Sequence, residues 1–257
     1  QVILNFENYI SSVRDTADYI QDKTIEYGLR NNNFNLDDVY RQASEVQGDI
    51  ESIVLISIAG EVIATSTNKD ITSADLTLKE WYQDAINEDA IYHFSSPHDQ
   101  DIFRQSTAEV ITVTKMVDYY HNTDKYRGVL VVDINTSNIV TLTKTTNLGT
   151  GGHIVILNDD DSFIYSNKPG CYNNECESLD IAKEIIFGGQ SVKIDEHDLY
   201  ANVNSLSGTR WRMATYVNTD IIQETQTSNI IVLAIIILST ITITLLILSY
   251  TSRRINS

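Results

Sequence analysis

Lys79, Trp81 and Tyr82 lie within one helical turn of each other in Leu78-Lys-Glu-Trp-Tyr-Gln-Asp-Ala85, a grouping that offers a definite chemistry. Indole and phenol rings present apolar faces with polar tips. Lys79, and His98 further along, supply positive charge, while Asp133 closes the apolar run Gly128-Val-Leu-Val-Val132 with a fixed negative one. Such a mixture suits recognition of a small polar or zwitterionic molecule. The plain alternative is structural: the two rings anchor a core and Lys79 is a solvated helix residue.

Bond-breaking chemistry finds little support. The chain has no Gly-x-Ser-x-Gly elbow, no His-Glu-x-x-His helix, no kinase motif and no thiol beside a plausible base, so an extracellular enzyme is the weaker hypothesis. His93, His121, His153 and His197 are scattered without metal-site spacing, and Asp159-Asp160-Asp161 lacks the glycine and distant glutamate of a calcium loop, so neither metal nor cofactor is expected. Leu148-Gly-Thr-Gly-Gly152 lacks the lysine and following helix of a phosphate loop and reads as a linker. Cys171 and Cys176 flank a short polar loop, and outside a membrane a disulfide between them is the favoured reading.

The elements that must position these residues begin with a long helix. From Val2 to Tyr27, Phe6, Tyr9, Val13, Thr16 and Ile20 recur at intervals near three and four, giving an apolar stripe on a stalk about 45 Å long. A short helix around Leu36 to Val46 follows, then a hairpin from Ser52 to Ser66 turning at Ala59-Gly60. Asp75 to Asp89 is expected to be helical, and Glu109 to Tyr119 pairs with Arg127 to Asn135 as a second hairpin. Thr136 starts another helix. The pattern then recurs: His153 to Ser166 repeats the first hairpin, and Trp211 to Ile222 echoes Val129 to Val140. A duplicated α+β domain follows, two modules each with an antiparallel sheet and helices to one side, joined at Leu148 to Gly152.

The chain closes on a different kind of segment. Ile230 to Tyr250 contains no charged side chain, and as a helix it would span about 32 Å against a hydrocarbon core of about 30 Å. Ser239, Thr240, Thr242, Thr244 and Ser249 do not oppose insertion, since hydroxyls bond back to helix carbonyls. Arg253 and Arg254 follow it, and Asp220 and Glu224 precede it, which places the C-terminus in the cytoplasm and residues 1–229 outside. Those outer residues hold all 35 acidic side chains of a chain whose net charge is −17. Such a surface repels phosphate backbones, so nucleic acid is not an expected partner.

With these features in place the sequence resembles the double-Cache sensors of bacterial transmembrane receptors. Leu78 to Ala85 resembles the Arg-x-Trp-Tyr-x-x-Ala helix of the membrane-distal module, Ser95-Ser96-Pro97-His98 the Ser-x-Pro-Tyr segment after it, and Arg127 to Asp133 the strand whose last aspartate faces the pocket. Asn5 to Val13 and Ser252 to Ser257 are similar to sensor histidine kinases of the YesM type, in which the last helix runs into a HAMP linker and a cytoplasmic kinase. The resemblance implies a stalk at 1–30, a membrane-distal PAS-like module at 31–150, a proximal one at 151–222, a transmembrane helix at 230–250 and the start of a linker at 251–257. It also implies a ligand site made of Lys79, Trp81, Tyr82, His98, Asp99, Asp101 and Asp133, a homodimer through stalk and membrane helices, and input from a small polar ligand or a solute-binding protein. In relatives that bind amino acids the arginine holds the ligand carboxylate and acidic residues its ammonium. Here Lys79 replaces that arginine, His98 the tyrosine, and Gln100 an aspartate, with Asp99 and Asp101 flanking it. A lysine lacks the planar fork that grips a carboxylate with two bonds.

Overall fold

The computed structural model describes residues 2–30, 36–89, 91–104, 106–121, 124–144, 152–168, 177–188, 191–194, 197–218 and 232–244. Helix α1 (Val2–Arg30) buries Phe6, Ile10, Val13, Ala17 and Ile20 on one stripe. Its buried Thr24 hydroxyl donates back to the Ile20 carbonyl at 2.7 Å, so the polar group costs the stripe little. Helix α2 (Leu36–Val46) packs beside α1 through Val39 and Ala43.

Two antiparallel sheets lie along α1. The first contains β1 (Ile50–Ser57), β2 (Val62–Thr65), β3 (His93–Phe94), β4 (His98–Asp99), β5 (Glu109–His121) and β6 (Asp124–Asn135), in the order β2-β1-β6-β5-β3 with β4 also on β5. The second contains β7 (Gly152–Leu157), β8 (Phe163–Ser166), β9 (Ser191–Ile194), β10 (His197–Ser205) and β11 (Arg212–Asn218), in the order β8-β7-β11-β10-β9. In each, a hairpin is followed by a helix and then by strands of which the last inserts beside the first. The sequence recurrence is therefore a recurrence of topology.

The expectation of helices on one side of each sheet is corrected. On β6, Leu130, Val132 and Ile134 join the cluster around α1, whereas Val129 and Val131 face the opposite cluster with α3 (Glu80–Asn87). On β7, Ile154 and Ile156 turn toward α1, and Val155 and Leu157 toward α5 (Glu177–Gly188). Strands buried on both faces read as continuous apolar runs instead of alternating ones, as 53–56, 129–132 and 154–157 do. Each such side chain, taken fully out of water, contributes about 1.5–3 kcal/mol.

Two element boundaries also differ from expectation. The helix foreseen over Asp75 to Asp89 is broken at Lys79, whose backbone is extended (φ −75°, ψ 139°) between a 3₁₀ turn (Leu76–Leu78) and α3. Asp75 caps the turn by accepting from Thr77 N at 3.0 Å, and the Lys79 carbonyl accepts from Gln83 N to start α3. The β5–β6 hairpin runs further than foreseen, to the pair His121 and Asp124, because Tyr119 stacks on Tyr126 at 5.6 Å and Lys125 pairs with Asp118. Helix α4 (Ser137–Lys144) starts after Thr136, whose carbonyl accepts from Ile139 N.

The sheets meet through side chains. Phe94 meets Trp211 edge-on at 5.6 Å, Ser96 Oγ lies 2.7 Å from Ser162 Oγ, and Arg210 pairs with Glu88. The Asp159 to Asp161 run forms the β7–β8 turn, with Arg212 bonding the Asn158 and Asp159 carbonyls and the Asp161 carboxylate. Residues 148–151 of the Leu148 to Gly152 linker, and the Cys171–Cys176 pair, lie outside the described residues.

Residues 232–244 are helical and exposed along their length. Ser239, Thr240, Thr242 and Thr244 each donate to a carbonyl three or four residues back, at 2.8 Å. Among the described residues no helix is long and apolar enough to cross a membrane; both ends of the Ile230 to Tyr250 stretch lie outside them.

Candidate ligand-binding site

Antiparallel register places three rows of side chains on the α3 face of the first sheet. Ser52, Asp133 and Thr112 stand side by side on β1, β6 and β5; Val54, Val131 and Thr114 form the next row, and Ile56, Val129 and Met116 the third. The polar row thus borders an apolar floor. Helix α3 lies over that floor with Trp81 and Tyr82, joined by Ile102 and Phe103.

Asp133 is 1% exposed. Its Oδ2 accepts from Ser52 Oγ at 2.8 Å and Gln100 Nε2 at 2.9 Å, and its Oδ1 accepts from Thr112 Oγ1 at 2.7 Å. Gln100 is held in turn by Phe103 N, which donates to its Oε1 at 3.1 Å. Burial pushes the Asp133 carboxyl above the usual carboxylate range, against the opposing pull of the three hydrogen bonds and of His98. A carboxylate has room for about four donors, and three reach this one among the described residues, only one of them on Oδ1.

His98 reaches the same group indirectly. Its Nε2 lies 2.9 Å from Thr112 Oγ1, and its Nδ1 lies 2.9 Å from the Asp99 carbonyl. Asp99 contributes that carbonyl, while the residue itself is exposed. Lys79 and Asp101 are brought together as a half-buried ion pair, Nζ to Oδ2 at 2.6 Å. The break before α3 sets Lys79 at the helix start, on an extended backbone.

Trp81 and Tyr82 are 5% and 2% exposed and meet edge-on at 6.3 Å. The Tyr82 hydroxyl donates to the Ser57 carbonyl at 2.9 Å, and burial raises its pKa. The Trp81 carbonyl accepts from Thr114 Oγ1 at 2.9 Å, but its indole Nε1 is buried with no partner among the described residues. A buried N–H without an acceptor costs about 1–3 kcal/mol. It is a donor available to a bound acceptor.

Ser52, Gln100, Thr112 and Thr114 complete the site and were not foreseen as members. Only strand register identifies the first and third, because Ser52 is 81 residues from Asp133 in the chain. Two surface clefts lie elsewhere among the described residues. One of about 700 Å³ runs along α1 and α2, and one of about 450 Å³ lies between the sheets near Arg14, Lys115 and Arg210. Volume is a poorer guide here than the buried Asp133 and the unpaired indole, since polar groups held in an apolar wall mark a recognition surface.

The family model described as Cache domain matches residues 1–226. The sensory domain of the Campylobacter jejuni chemoreceptor Tlp3 with isoleucine bound is similar in fold, with TM-score 0.63 at 16% identity over 86% of this chain and 90% of that one. The ligand-binding domain of the Pseudomonas aeruginosa amino acid chemoreceptor PctC in complex with GABA gives 0.59 at 12% identity, over 84% and 94%. The extracellular domain of the putative histidine kinase rpHK1S-Z16 gives 0.59 at 15% identity, over 86% and 90%. No curated protein sequence matches the chain.

Proposed function

The chain belongs to the Cache domain family, the ligand-binding sensor regions of membrane receptors, and from that premise we propose that it is the extracytoplasmic sensor of a bacterial two-component histidine kinase. The ligand is a small polar molecule with an amine and an acceptor group, bound over the first sheet, the membrane-distal module. The observation that carries this reading is the pairing of a buried carboxylate, Asp133, whose Oδ1 takes a single donor among the described residues, with a buried donor, Trp81 Nε1, that has no partner among them, on the same sheet face. Lys79 at the rim exchanges Asp101 for an anionic group of the ligand. The solved structures of similar fold include sensors with isoleucine and GABA bound, which favours an amine-bearing ligand over a sugar.

Transmission runs through shared elements. Helix α1 packs against both sheets, and β11 leads toward the apolar helix of 232–244. In this proposal Ile230 to Tyr250 spans the membrane, two copies pair along stalk and span, and ligand shifts one span against the other. Ligand biases the receptor only if the two signalling states differ in affinity for it. A chemoreceptor uses the same kind of sensor, and Tlp3 and PctC favour that second reading; assay of the whole receptor for histidine autophosphorylation discriminates, since a chemoreceptor has none.

Thermal unfolding of the chain in detergent against isoleucine, asparagine, GABA and other amines tests the reading. A ligand at a hundred times its Kd adds about 2.7 kcal/mol and raises Tm by several degrees. Trp81→Phe, which keeps an aromatic ring but is smaller and lacks the N–H, should abolish the shift while lowering the ligand-free Tm by several degrees through the cavity it leaves. A shift that survives both Trp81→Phe and Lys79→Met would place the ligand elsewhere.

A further inference from the structure

The hydrogen atoms around His98 cannot all be placed with a neutral imidazole and an ionised Asp133. The Asp99 carbonyl only accepts, so His98 Nδ1 must carry a hydrogen to meet it at 2.9 Å. Thr112 Oγ1 has one hydrogen and two close partners, His98 Nε2 at 2.9 Å and Asp133 Oδ1 at 2.7 Å. If that hydrogen goes to Asp133, Nε2 must donate to Thr112, and His98 is an imidazolium facing a carboxylate. If it goes to Nε2, the Asp133–Thr112 contact needs a hydrogen on Oδ1, and His98 and Asp133 are both neutral. The two arrangements contain the same number of protons. They differ by one transfer from Nε2 to Oγ1 and a second from Oγ1 to Oδ1, with no net charge either way.

We propose that His98, Thr112 and Asp133 form a relay that binds one proton in common, making this end of the first sheet a proton-binding site. Removing that proton leaves two lone pairs facing each other at one of the contacts and a net negative charge in the site, so a rise in pH breaks the chain of bonds as well as changing its charge. Oδ2 is already filled by Ser52 and Gln100, which confines the exchange to Oδ1.

The surrounding charges are tied off. Asp101, in the segment after β4, pairs with Lys79; Glu51 of β1 pairs with Lys69; Glu109 of β5 accepts from Thr136; and His93 of β3 contacts the Glu88 carbonyl at 3.1 Å. Asp99 is exposed on β4 opposite Glu109. One consequence rests on the ligand reading above: an ammonium group at Oδ1 competes with the shared proton, so acid weakens recognition. The relay itself does not depend on that reading.

The test is ¹⁵N NMR of histidine-labelled chain in nanodiscs, with His98 assigned through His98→Gln, together with the infrared carbonyl band of a protonated carboxyl assigned through Asp133→Asn. The relay predicts that Nδ1 keeps its hydrogen throughout and that Nε2 titrates, the reverse of free imidazole. It also predicts that the Nε2 signal and the Asp133 band are lost together, in one step, as pH rises. Thr112→Val should uncouple the two and Thr112→Ser should restore them. Titration at Nδ1, loss of the two signals in separate steps, or an unchanged coupled step in a folded Thr112→Val would overturn the relay. These outcomes stand whether or not any amine binds, so failure of the ligand reading and failure of the relay are told apart.

Discussion

At the scale of single residues, the buried carboxyl of Asp133 has a consequence for stability. Its pKa is raised in the folded protein, chiefly by desolvation. Between the ordinary carboxylate range and that raised value the native chain holds a proton that the unfolded chain has released. Stability contributed by this group is therefore full in acid and lost as pH rises through the native value. Asp133→Asn removes the ionisation and keeps a neutral group of the same shape. Comparing Tm for the two proteins from about pH 4 to pH 8 should show the variant gaining steadily on the wild type as pH rises. Asp18, Glu88 and Asp160 have lowered pKa values and act in the opposite sense in both proteins, so they cancel in the difference. A constant gap across the range would mean that Asp133 is ionised throughout.

At the scale of elements, the β10–β11 turn joins the second sheet to the stalk. Ser207 Oγ donates to Glu7 at 2.8 Å, and Arg210 pairs with Glu88 just past the end of α3. Gly208 lies against Arg14, whose guanidinium also faces the Tyr92 ring at 5.5 Å. Gly208 has φ +83°, and a Cβ there would meet Arg14 Nη1 at 2.5 Å. Gly208→Ala therefore combines a left-handed backbone with a clash against the end of a flexible side chain, at a cost of about 1–3 kcal/mol. Chemical denaturation should show that loss as a lower midpoint with little change in slope. Gly208→Asn, which tolerates positive φ better, should lose less. An Ala variant as stable as wild type would show that this turn does not depend on a residue without a side chain.

At the scale of the whole molecule, two similar sheets lie along a single long helix, and relative movement of the sheets works against α1, the turn that Arg210 anchors, and the Phe94–Trp211 and Ser96–Ser162 contacts. The expected output is a displacement of the apolar helix that follows β11. Single cysteines introduced along Ile230 to Tyr250 should crosslink between copies with a pattern that changes when ligand is added. A pattern indifferent to a ligand that demonstrably binds would remove the displacement from the mechanism.

Much of this architecture was legible in the chain. The stripe from Phe6 to Ile20 required a helix against a core, Ala59-Gly60 required a turn, and the recurrence of Val129 to Val140 in Trp211 to Ile222 required a second domain of the same kind, because periodicity and turn chemistry are local properties. The candidate site was legible as a set of residues on three segments, and the contacts among them were not. Lys79, Trp81 and Tyr82 were found together, yet the extended backbone at Lys79 was not, since Asp75 can cap a short turn or a longer helix with the same residues. Burial on both faces of the sheets was written in the unbroken runs 53–56 and 154–157 but was read as one-sided.

What only the tertiary structure decided is partnership. Sequence placed a carboxylate at Asp133 and a histidine at His98, but Ser52, Gln100 and Thr112 became its neighbours through strand register and the segment following β4. A shift of one residue in that register would have turned Thr112 to the other face of the sheet. The same cause turned Asp101 into the partner of Lys79, left the Trp81 indole without one among the described residues, and joined His98 to Asp133 through a single hydroxyl. Residue types and local periods fix which groups a protein has and which elements carry them; pairing across the chain fixes which of those groups share a proton.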